Sequence, residues 1–342
     1  MIAHGRRGPS RRMPACVAVL ALLTGACGTT GAAEDPDDGA LRIAATTTIL
    51  GDVVGNVAPA GAEVSVLMEP GADPHTFEPS ARQLAELQEA DLVVVNGGGL
   101  EAGLQPAVDD AQAAGVPVFT ALEHVTPLGG EEDTGDDHGE DEHAEDDSSD
   151  HDATAASEYG DGHDHGAVDP HFWMDPVRMA EVVADLGARI GELTDGARSS
   201  AERAERYGDE LGELDGRIRD LLDDVPADRR TIVTNHEALS YFADRYDLRV
   251  VGTVIPSMTT AAESSARDIE QLAAVMRREG VTTIFAETTA PQQLAETLAD
   301  DAGGEVEVVV LFTESIGGED GPATYVDMLM TDAELIRGAL RR

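Results

Sequence analysis

The sequence contains no lysine, and only two of its 342 residues are cysteine. Cys16 falls inside an apolar run near the amino terminus, so Cys27 is the one thiol that we expect in the mature chain. This scarcity excludes a disulfide framework, a cysteine zinc site and a cysteine nucleophile. Any metal must therefore be held by histidine, aspartate or glutamate. Aromatic residues are also few, and Trp173 is the single tryptophan.

Positive charge is scarce as well. The chain has 23 basic residues, all arginine, against 67 acidic ones, which gives a net charge of -44. This balance argues against nucleic acid or anionic lipid as a partner. Apolar residues make up 42% of the chain, which is enough to build globular cores. The length after the leader, about 315 residues, indicates two lobes rather than one.

The amino terminus has the features of an export signal. Four arginines precede the apolar run ACVAVLALL, which is too short to span a bilayer as a stable helix, and TGAC follows it. We predict a signal peptide over residues 1–26, lipid attached to Cys27 and a flexible tether over residues 27–40. This places the protein outside the cytoplasm, anchored to the outer face of the cell membrane. The alternative is ordinary signal cleavage and a soluble secreted protein.

An acidic segment that contains half of the ten histidines covers residues 131–166. It holds 16 aspartate or glutamate residues, no arginine and few apolar residues, so we predict that it is disordered. Imidazole together with carboxylate favours divalent metal, zinc first, so the segment is a candidate auxiliary metal site. The alternative is a solvating linker whose histidines are incidental. These histidines are His138, His143, His151, His163 and His165.

Short apolar runs alternate with helical patterns on both sides of this segment, which predicts parallel α/β architecture. We predict an N-terminal α/β lobe over residues 41–175 and a C-terminal α/β lobe over residues 226–342. Ser80 is predicted to be the N-cap of a helix in the first lobe. The eight predicted strands begin at Leu41, Glu63, Asp91, Val116, Arg230, Leu248, Thr282 and Val306.

Between the lobes, residues 176–225 show helical periodicity and are rich in alanine, leucine, glutamate and arginine. One long rigid helix over this range is the first prediction. A break near residues 194–196 would instead produce a helical hairpin, and both arrangements stay open at this point.

Four loops carry side chains suited to a metal site. His75 follows the second predicted strand, His171 the fourth, His236 the fifth and Glu314 the eighth. Ligands of parallel sheets bind beyond the carboxyl ends of the strands. If the lobes face each other along these edges, three imidazoles and one carboxylate meet, which is a tetrahedral complement for zinc. Glu287 also ends a strand and is the rival candidate for the fourth ligand.

Residues near two of these histidines bear on the same site. Asp169 and Asp175 flank His171, and either could orient its imidazole, while Asp175 suits the N-cap of the next helix equally well. Trp173 is predicted to pack where the lobes meet. The pair His236 and Glu237 resembles the start of an HExxH zinc-protease motif. Residue 240 is serine, however, so we predict that the protein is not an enzyme.

Five motifs together carry a family resemblance: PGADPHTFEPS, DPHFWMDP, NHEALSYFADRYDL, IFAE and LFTESI, in that order. They resemble the solute-binding lipoproteins of bacterial zinc and manganese ABC importers, over essentially residues 41–342. The resemblance implies two α/β lobes joined by one long rigid helix, with metal bound between them. The ligands that it implies are His75, His171, His236 and Glu314. The family more often has aspartate at the position of Glu314. The resemblance therefore leaves open whether the Glu314 carboxylate binds metal through one oxygen or both, or is displaced by water.

The resemblance further implies zinc as the bound ion, with manganese less favoured. A histidine at the position of His236 and an acidic, histidine-rich loop are both similar to the zinc branch of the family. The implied partners are an ABC permease and its ATPase, with this chain acting as a monomer. The alternatives are a manganese-binding homologue, or a surface metal buffer or adhesin.

Two expectations concern how binding would work. Because metal requires deprotonated histidine, the affinity should fall as the pH drops below the ordinary histidine pKa of about 6.5. Because a rigid helix limits closure of the lobes, the change on binding should be local. The loop that carries His171 is the part expected to move.

Overall fold

A computed structural model of the protein describes residues 40–128, 168–194, 197–318 and 321–342. Three predictions lie outside these residues: the signal peptide at 1–26, the tether at 27–40 apart from its last residue, and the acidic segment at 131–166. Cys27 and the five histidines of the acidic segment belong to these ranges. The roles given to them above remain predictions. Within the described ranges, no helix combines the length and the apolar character needed to cross a membrane.

The first lobe contains a four-stranded parallel sheet with the strand order β2-β1-β3-β4. Every residue of β3 is buried, as expected for an inner strand covered on both faces. The strands are β1 (Arg42–Ala45), β2 (Glu63–Val66), β3 (Leu92–Val95) and β4 (Val118–Thr120). The helices are α1 (Thr48–Val57), α2 (Ala81–Glu89) and α3 (Gln105–Ala113).

Helix α1 was missed by the sequence analysis. Its buried residues Ile49, Leu50, Val53 and Val54 follow the spacing of one helical face. Its start is marked by Thr47, whose hydroxyl accepts a hydrogen bond from the backbone N–H of Leu50 at 3.2 Å. Thr46, Thr47 and Thr48 favour a strand by propensity, and this obscures the cap in the sequence. The predicted cap of α2 is confirmed, since Ser80 and Gln83 form a capping box.

Two helices follow the first lobe, α4 (Pro176–Glu192) and α5 (Ala197–Leu222). The prediction of one uninterrupted helix over residues 176–225 was therefore wrong, and the hairpin alternative describes the chain. Between the helices the sequence contains Thr-Asp-Gly, three residues of low helix propensity. The two helices pack so closely at Gly187 that a Cβ added there would lie 2.5 Å from the Cβ of Ala204. The long helix that connects the lobes is α5, which is 26 residues long.

The second lobe repeats the plan of the first, with a parallel sheet in the order β6-β5-β7-β8. All eight predicted strands are present, and the predicted fold class is confirmed. The strands are β5 (Thr231–Thr234), β6 (Arg249–Thr253), β7 (Thr283–Glu287) and β8 (Glu307–Leu311). The helices are α6 (Ser240–Arg245), α7 (Ala266–Glu279), α8 (Gln293–Ala302) and α9 (Tyr325–Leu340).

One hydrophobic cluster runs from the first sheet to the second. Among its members are Ile43 of β1, Trp173, Leu211 of α5, Phe285 of β7 and Tyr325 of α9. A smaller apolar cluster lies within each lobe. Because a packed core resists deformation, this shared cluster fixes the loops of the two lobes relative to each other.

Candidate metal centre

The four residues predicted as ligands lie together where the loops of the two lobes meet. One donor atom from each of His75, His171, His236 and Glu314 lies within 4.8 Å of all the others. The first lobe supplies His75 and His171, and the second supplies His236 and Glu314. Their side chains are buried, and His75 is the most exposed of them at 2%.

The spacing of the donor atoms suits a small tetrahedral ion. Oε1 of Glu314 lies 3.1 Å from Nε2 of His75, 3.2 Å from Nε2 of His236 and 3.5 Å from Nε2 of His171. Nε2 of His171 lies 3.3 Å from Nε2 of His75 and 3.2 Å from Nε2 of His236. Zinc with bonds of about 2.0–2.1 Å places its tetrahedral ligands about 3.3–3.4 Å apart. The donor set therefore fits zinc in size as well as in chemistry.

The imidazole of His171 is oriented by a carboxylate. Its Nδ1 lies 2.7 Å from Oδ1 of Asp169, and an ionised carboxylate accepts hydrogen bonds, so Nδ1 donates. This leaves the lone pair of Nε2 directed at the other ligands. Asp175, the alternative orienting group, instead caps α4 by accepting from the backbone N–H of Val177 at 2.8 Å. The two roles that were open for these aspartates are thus divided between them.

The imidazole of His236 is oriented in the same way from within the second lobe. Its Nδ1 lies 2.8 Å from Oε1 of Glu287, the last residue of β7. Glu287, the rival candidate for the fourth ligand, therefore contacts the side of the ring that faces away from the donor group. His236 lies two residues after β5, the neighbour of β7, so adjacent strand ends supply a predicted ligand and the carboxylate that orients it.

His75 is held through its backbone and through the carboxylate of Glu314. Its backbone N–H donates to Oδ1 of Asp73 at 2.9 Å. Oδ2 of Asp73 accepts a hydrogen bond from the hydroxyl of Thr260, which belongs to the second lobe, at 2.7 Å. The loop that carries His75 is also bonded to the second lobe by the backbone N–H of Gly71, which donates to Oγ of Ser315 at 2.8 Å.

The segment that carries His171 is fixed by the first sheet. Asn96 follows β3 directly, and its amide donates to the backbone oxygen of Pro170 at 3.0 Å. Asn96 is itself held by Glu101, whose Oε1 accepts from the Asn96 backbone N–H at 2.6 Å and from the Thr46 hydroxyl at 2.8 Å. Burial raises the pKa of Glu101, although these hydrogen bonds oppose the rise. A buried carboxylate thus anchors the turn next to His171.

The second lobe holds the same segment from the other side. Nε1 of Trp173 donates to the backbone oxygen of Thr313 at 2.7 Å, one residue before Glu314. The hydroxyl of Tyr241 donates to the backbone oxygen of Asp169 at 3.1 Å. Trp173 is buried, as predicted for a residue at the junction of the lobes. His171 is therefore bonded to both lobes through its neighbours.

The charge on each of these side chains depends on the charges of its neighbours. Burial alone disfavours the charged imidazole, but Glu287 and Glu314 overcome it and raise the pKa of His236 to about 10. Asp169 and Glu314 similarly outweigh burial and raise the pKa of His171. Burial alone would raise the pKa of Glu314, yet the imidazoles hold it well below its usual value. Proton competition with metal therefore begins at a higher pH than the ordinary histidine pKa of about 6.5 suggests.

The family of the chain follows from its match over this site and both lobes. Residues 43–339 match the family described as zinc-uptake complex component A, periplasmic, or ZnuA. The chain belongs to the ZnuA family. The resemblance carried by the five motifs is confirmed, and the protein is the solute-binding, metal-binding component of an uptake system.

Individual members similar to this ZnuA-family chain are named for different metals. Manganese-binding lipoprotein MntA of Halalkalibacterium halodurans is 27% identical over 315 residues, covering 92% of this chain and 93% of its own. Zinc-binding protein TroA of Treponema pallidum is 28% identical over 337 residues, covering 97% and 99%. The solved structure of the periplasmic zinc-binding protein TroA from Treponema pallidum matches with a TM-score of 0.74 at 26% identity, covering 89% and 100%. Because these relatives are named for different metals, their names do not identify the ion that this chain binds.

Sequence reasoning about this ZnuA-family site pointed to Asp169 but missed several other residues that support the predicted ligands. Asn96 and Glu101 were not singled out, although a polar residue directly after an inner strand is a signal that the strand-edge rule can use. Thr260 and Thr289 lie in polar loops where no spacing marks them. The contact of Thr260 with Asp73 forms between the lobes, and Thr289 contacts Glu314 across neighbouring loops of the second lobe.

Proposed function

We propose that this ZnuA-family protein captures zinc outside the cytoplasm and delivers it to an ABC permease and its ATPase. The proposed ligands are His75, His171, His236 and Glu314. One observation carries the proposal: their four donor atoms lie mostly 3.1–3.5 Å apart, with Nδ1 of two of the imidazoles bonded to carboxylates. Imidazole bound in this way is a stronger metal ligand, and its tautomer is fixed.

Zinc is favoured over manganese by the chemistry of the donors. Three imidazole nitrogens and one carboxylate oxygen suit zinc, whereas manganese prefers more oxygen ligands and a higher coordination number. Manganese is the second candidate, because a relative that covers 92% of the chain is named as manganese-binding. Copper and nickel would bind nitrogen ligands tightly by affinity alone, so availability outside the cell contributes to selectivity.

We also propose that the protein is not an enzyme. A catalytic zinc site keeps one coordination position for water or substrate, whereas structural sites are closed by four protein ligands. The four buried donors described above fill the positions of a tetrahedral ion. Storage and transfer of the ion, without turnover, is the chemistry that this arrangement supports.

Membrane attachment and a supply of ions complete the proposal. Lipid on Cys27 would hold the protein at the outer face of the membrane as a monomer, near the permease. The histidines of residues 131–166 would raise the local concentration of zinc around the site. A point midway along this segment reaches about 23 Å by random-coil scaling, which is far enough to pass an ion to the site.

The test is competitive titration of metal-free protein with zinc and manganese, for wild type and for His236→Ala, with metal content measured by mass spectrometry. We expect one tightly bound zinc per chain and a loss of more than about 100-fold in affinity in His236→Ala, since losing a ligand exceeds the loss of a supporting group. Preference for manganese, or indifference to the loss of His236, would contradict the proposal.

A deletion separates the role of residues 131–166 from that of the site. We expect a chain without them to keep the tight zinc site unchanged and to lose additional, weaker binding. Equal loss of tight binding in the deletion would mean that the segment supplies a ligand.

A further inference from the structure

The two oxygens of Glu314 have different surroundings. Oε1 is the atom that lies 3.1–3.5 Å from the three imidazole nitrogens. Oε2 lies 3.1 Å from the hydroxyl of Thr289. Since an ionised carboxylate can only accept, the Thr289 hydroxyl donates its single proton to Oε2. One oxygen therefore belongs to the metal site and the other to a hydrogen bond.

Thr289 is placed for this contact by the second sheet. It lies two residues after Glu287, the carboxylate that orients His236 at the end of β7. The intervening residue, Thr288, donates its backbone N–H to the oxygen of Leu311 at 3.0 Å, at the end of β8. This bond ties the loop that carries Thr289 to the strand that leads into Glu314. The hydroxyl and the carboxylate are thus fixed relative to each other.

The hydrogen bond bears on how many bonds the carboxylate makes to metal. A glutamate that binds through both oxygens raises the coordination number to five, which favours manganese over zinc. Because the Thr289 hydroxyl holds Oε2 in place, turning this oxygen towards the metal would strain that hydrogen bond. A glutamate side chain has several rotatable bonds, so the Thr289 hydrogen bond restricts the orientation of its carboxylate.

The space beside Glu314 is also restricted. A cavity lined by Thr47, Pro74, Asn96 and Trp173 among others adjoins the carboxylate, and its volume is about 10 Å³. This volume is at the lower limit for a single water. This cavity therefore leaves little room for a water beside Glu314.

We propose that Thr289 is a positioning residue that sets metal specificity, by holding Glu314 as a ligand through Oε1 alone. The inference rests on the proposed function, zinc capture at these four residues, and adds the group that keeps the coordination number at four. Thr289 acts through Glu314 and does not touch the ion.

The experiment compares wild type with Thr289→Val, which removes the hydroxyl while nearly keeping the shape, and Thr289→Ser, which keeps the hydroxyl. Each purified protein receives one equivalent of Co²⁺, whose visible absorption is intense in four-coordinate sites and weaker in five-coordinate sites. Each is also titrated with zinc in competition with manganese. Residues 131–166 are the same in all three proteins, so their contribution cancels.

We expect wild type and Thr289→Ser to show the intense four-coordinate bands, and Thr289→Val to show the weaker five-coordinate bands. We also expect the ratio of zinc affinity to manganese affinity to fall about tenfold in Thr289→Val, within the range for loss of a supporting group. Thr289→Ala is measured in parallel, so that a folding defect in the valine variant does not decide the result.

The possible failures are distinguishable. A four-coordinate, zinc-preferring wild type whose valine and alanine variants match it would overturn the role of Thr289 and leave the zinc proposal in place. A wild type that is five- or six-coordinate, or that prefers manganese, would overturn the zinc proposal and the role of Thr289 with it. Loss of the four-coordinate bands in Thr289→Ser as well would show that packing, rather than the hydroxyl, is responsible.

Discussion

The tripeptide Asp-Pro-His occurs twice in the proposed metal site, and the two copies are held differently. In each copy the backbone N–H of the histidine donates to Oδ1 of the aspartate at 2.9 Å: His75 donates to Asp73, and His171 donates to Asp169. Asp169 also accepts from Nδ1 of its own histidine at 2.7 Å. Asp73 instead accepts from the hydroxyl of Thr260 in the other lobe, at 2.7 Å. The same local turn thus orients an imidazole in one copy and joins two lobes in the other.

This difference indicates which of the two histidines is held rigidly and which lies on a loop that can move. The second copy is held by the first sheet through Asn96 and by the second lobe through Tyr241. The first copy is held mainly by hydrogen bonds to the second lobe, at Thr260 and Ser315. We therefore expect zinc release to begin with the loop that carries His75. The sequence alone favoured the loop of His171 instead.

The largest effect on zinc affinity is expected from removing His171, the more rigidly held of the two proposed ligands. His171→Ala deletes a nitrogen donor and removes the imidazole partner of the Asp169 carboxylate, so zinc affinity should fall by more than about 100-fold. Competitive titration against a chelator measures this loss. A fall of less than tenfold would mean that His171 is not a ligand.

The two aspartates should then separate the two copies of the tripeptide. Asp169→Asn weakens the support of a ligand, so we expect zinc affinity to fall about 10–100-fold. Asp73→Asn is the matched control, because it alters the same turn without touching an imidazole Nδ1, and its affinity should change by less than about threefold. Equal losses of affinity in both variants would show that the two aspartates support zinc binding to the same extent.

The pH dependence of zinc affinity sharpens the same comparison. Asp169 raises the pKa of His171, and a proton on this imidazole excludes zinc, so binding weakens as the pH falls through that raised pKa. Each displaced proton contributes about a tenfold change in affinity per pH unit. In Asp169→Asn the pKa of His171 should drop and the slope above about pH 6.5 should become smaller. In Asp73→Asn the slope should match that of wild type, and titrations over a pH series would reveal any departure.

The smallest effect is expected in the kinetics of the movable loop. Thr260→Val removes the hydroxyl that bonds to Asp73 but leaves all four ligands in place. We expect zinc dissociation into excess chelator to accelerate a few-fold, consistent with the loss of one hydrogen bond worth about 1 kcal/mol. Ser240→Ala is a control, since its hydroxyl contacts the backbone oxygen of Glu237 outside this loop. Unchanged dissociation in Thr260→Val would place the moving part elsewhere.

Residue type and position were enough to predict the strands and the proximity of the ligands. His236 lies two residues after β5 and Glu314 three residues after β8, so the rule that sites form at the carboxyl ends of parallel strands reaches both. The role of Glu287 could not be predicted, because a carboxylate at a strand end fits both a ligand and a support. Its contact with Nδ1 of His236 depends on the distance between two side chains on neighbouring strands.

Other features were hidden for physical reasons of their own. The break between α4 and α5 rests on a few residues of low helix propensity, which packing can override in either direction. Thr260 lies in a loop of small and polar residues, and its contact forms across lobes that are far apart in sequence. Contacts of this kind follow from the tertiary fold, so no local pattern marks them.

The most direct test is a crystal structure of the protein with one equivalent of zinc, using anomalous scattering at the zinc edge to locate the ion. We expect one strong peak bonded to Nε2 of His75, His171 and His236 and to Oε1 of Glu314, in tetrahedral geometry with bonds of about 2.0–2.1 Å. A peak outside this group, or an ion that lacks one of the four ligands, would contradict the site proposed for zinc capture.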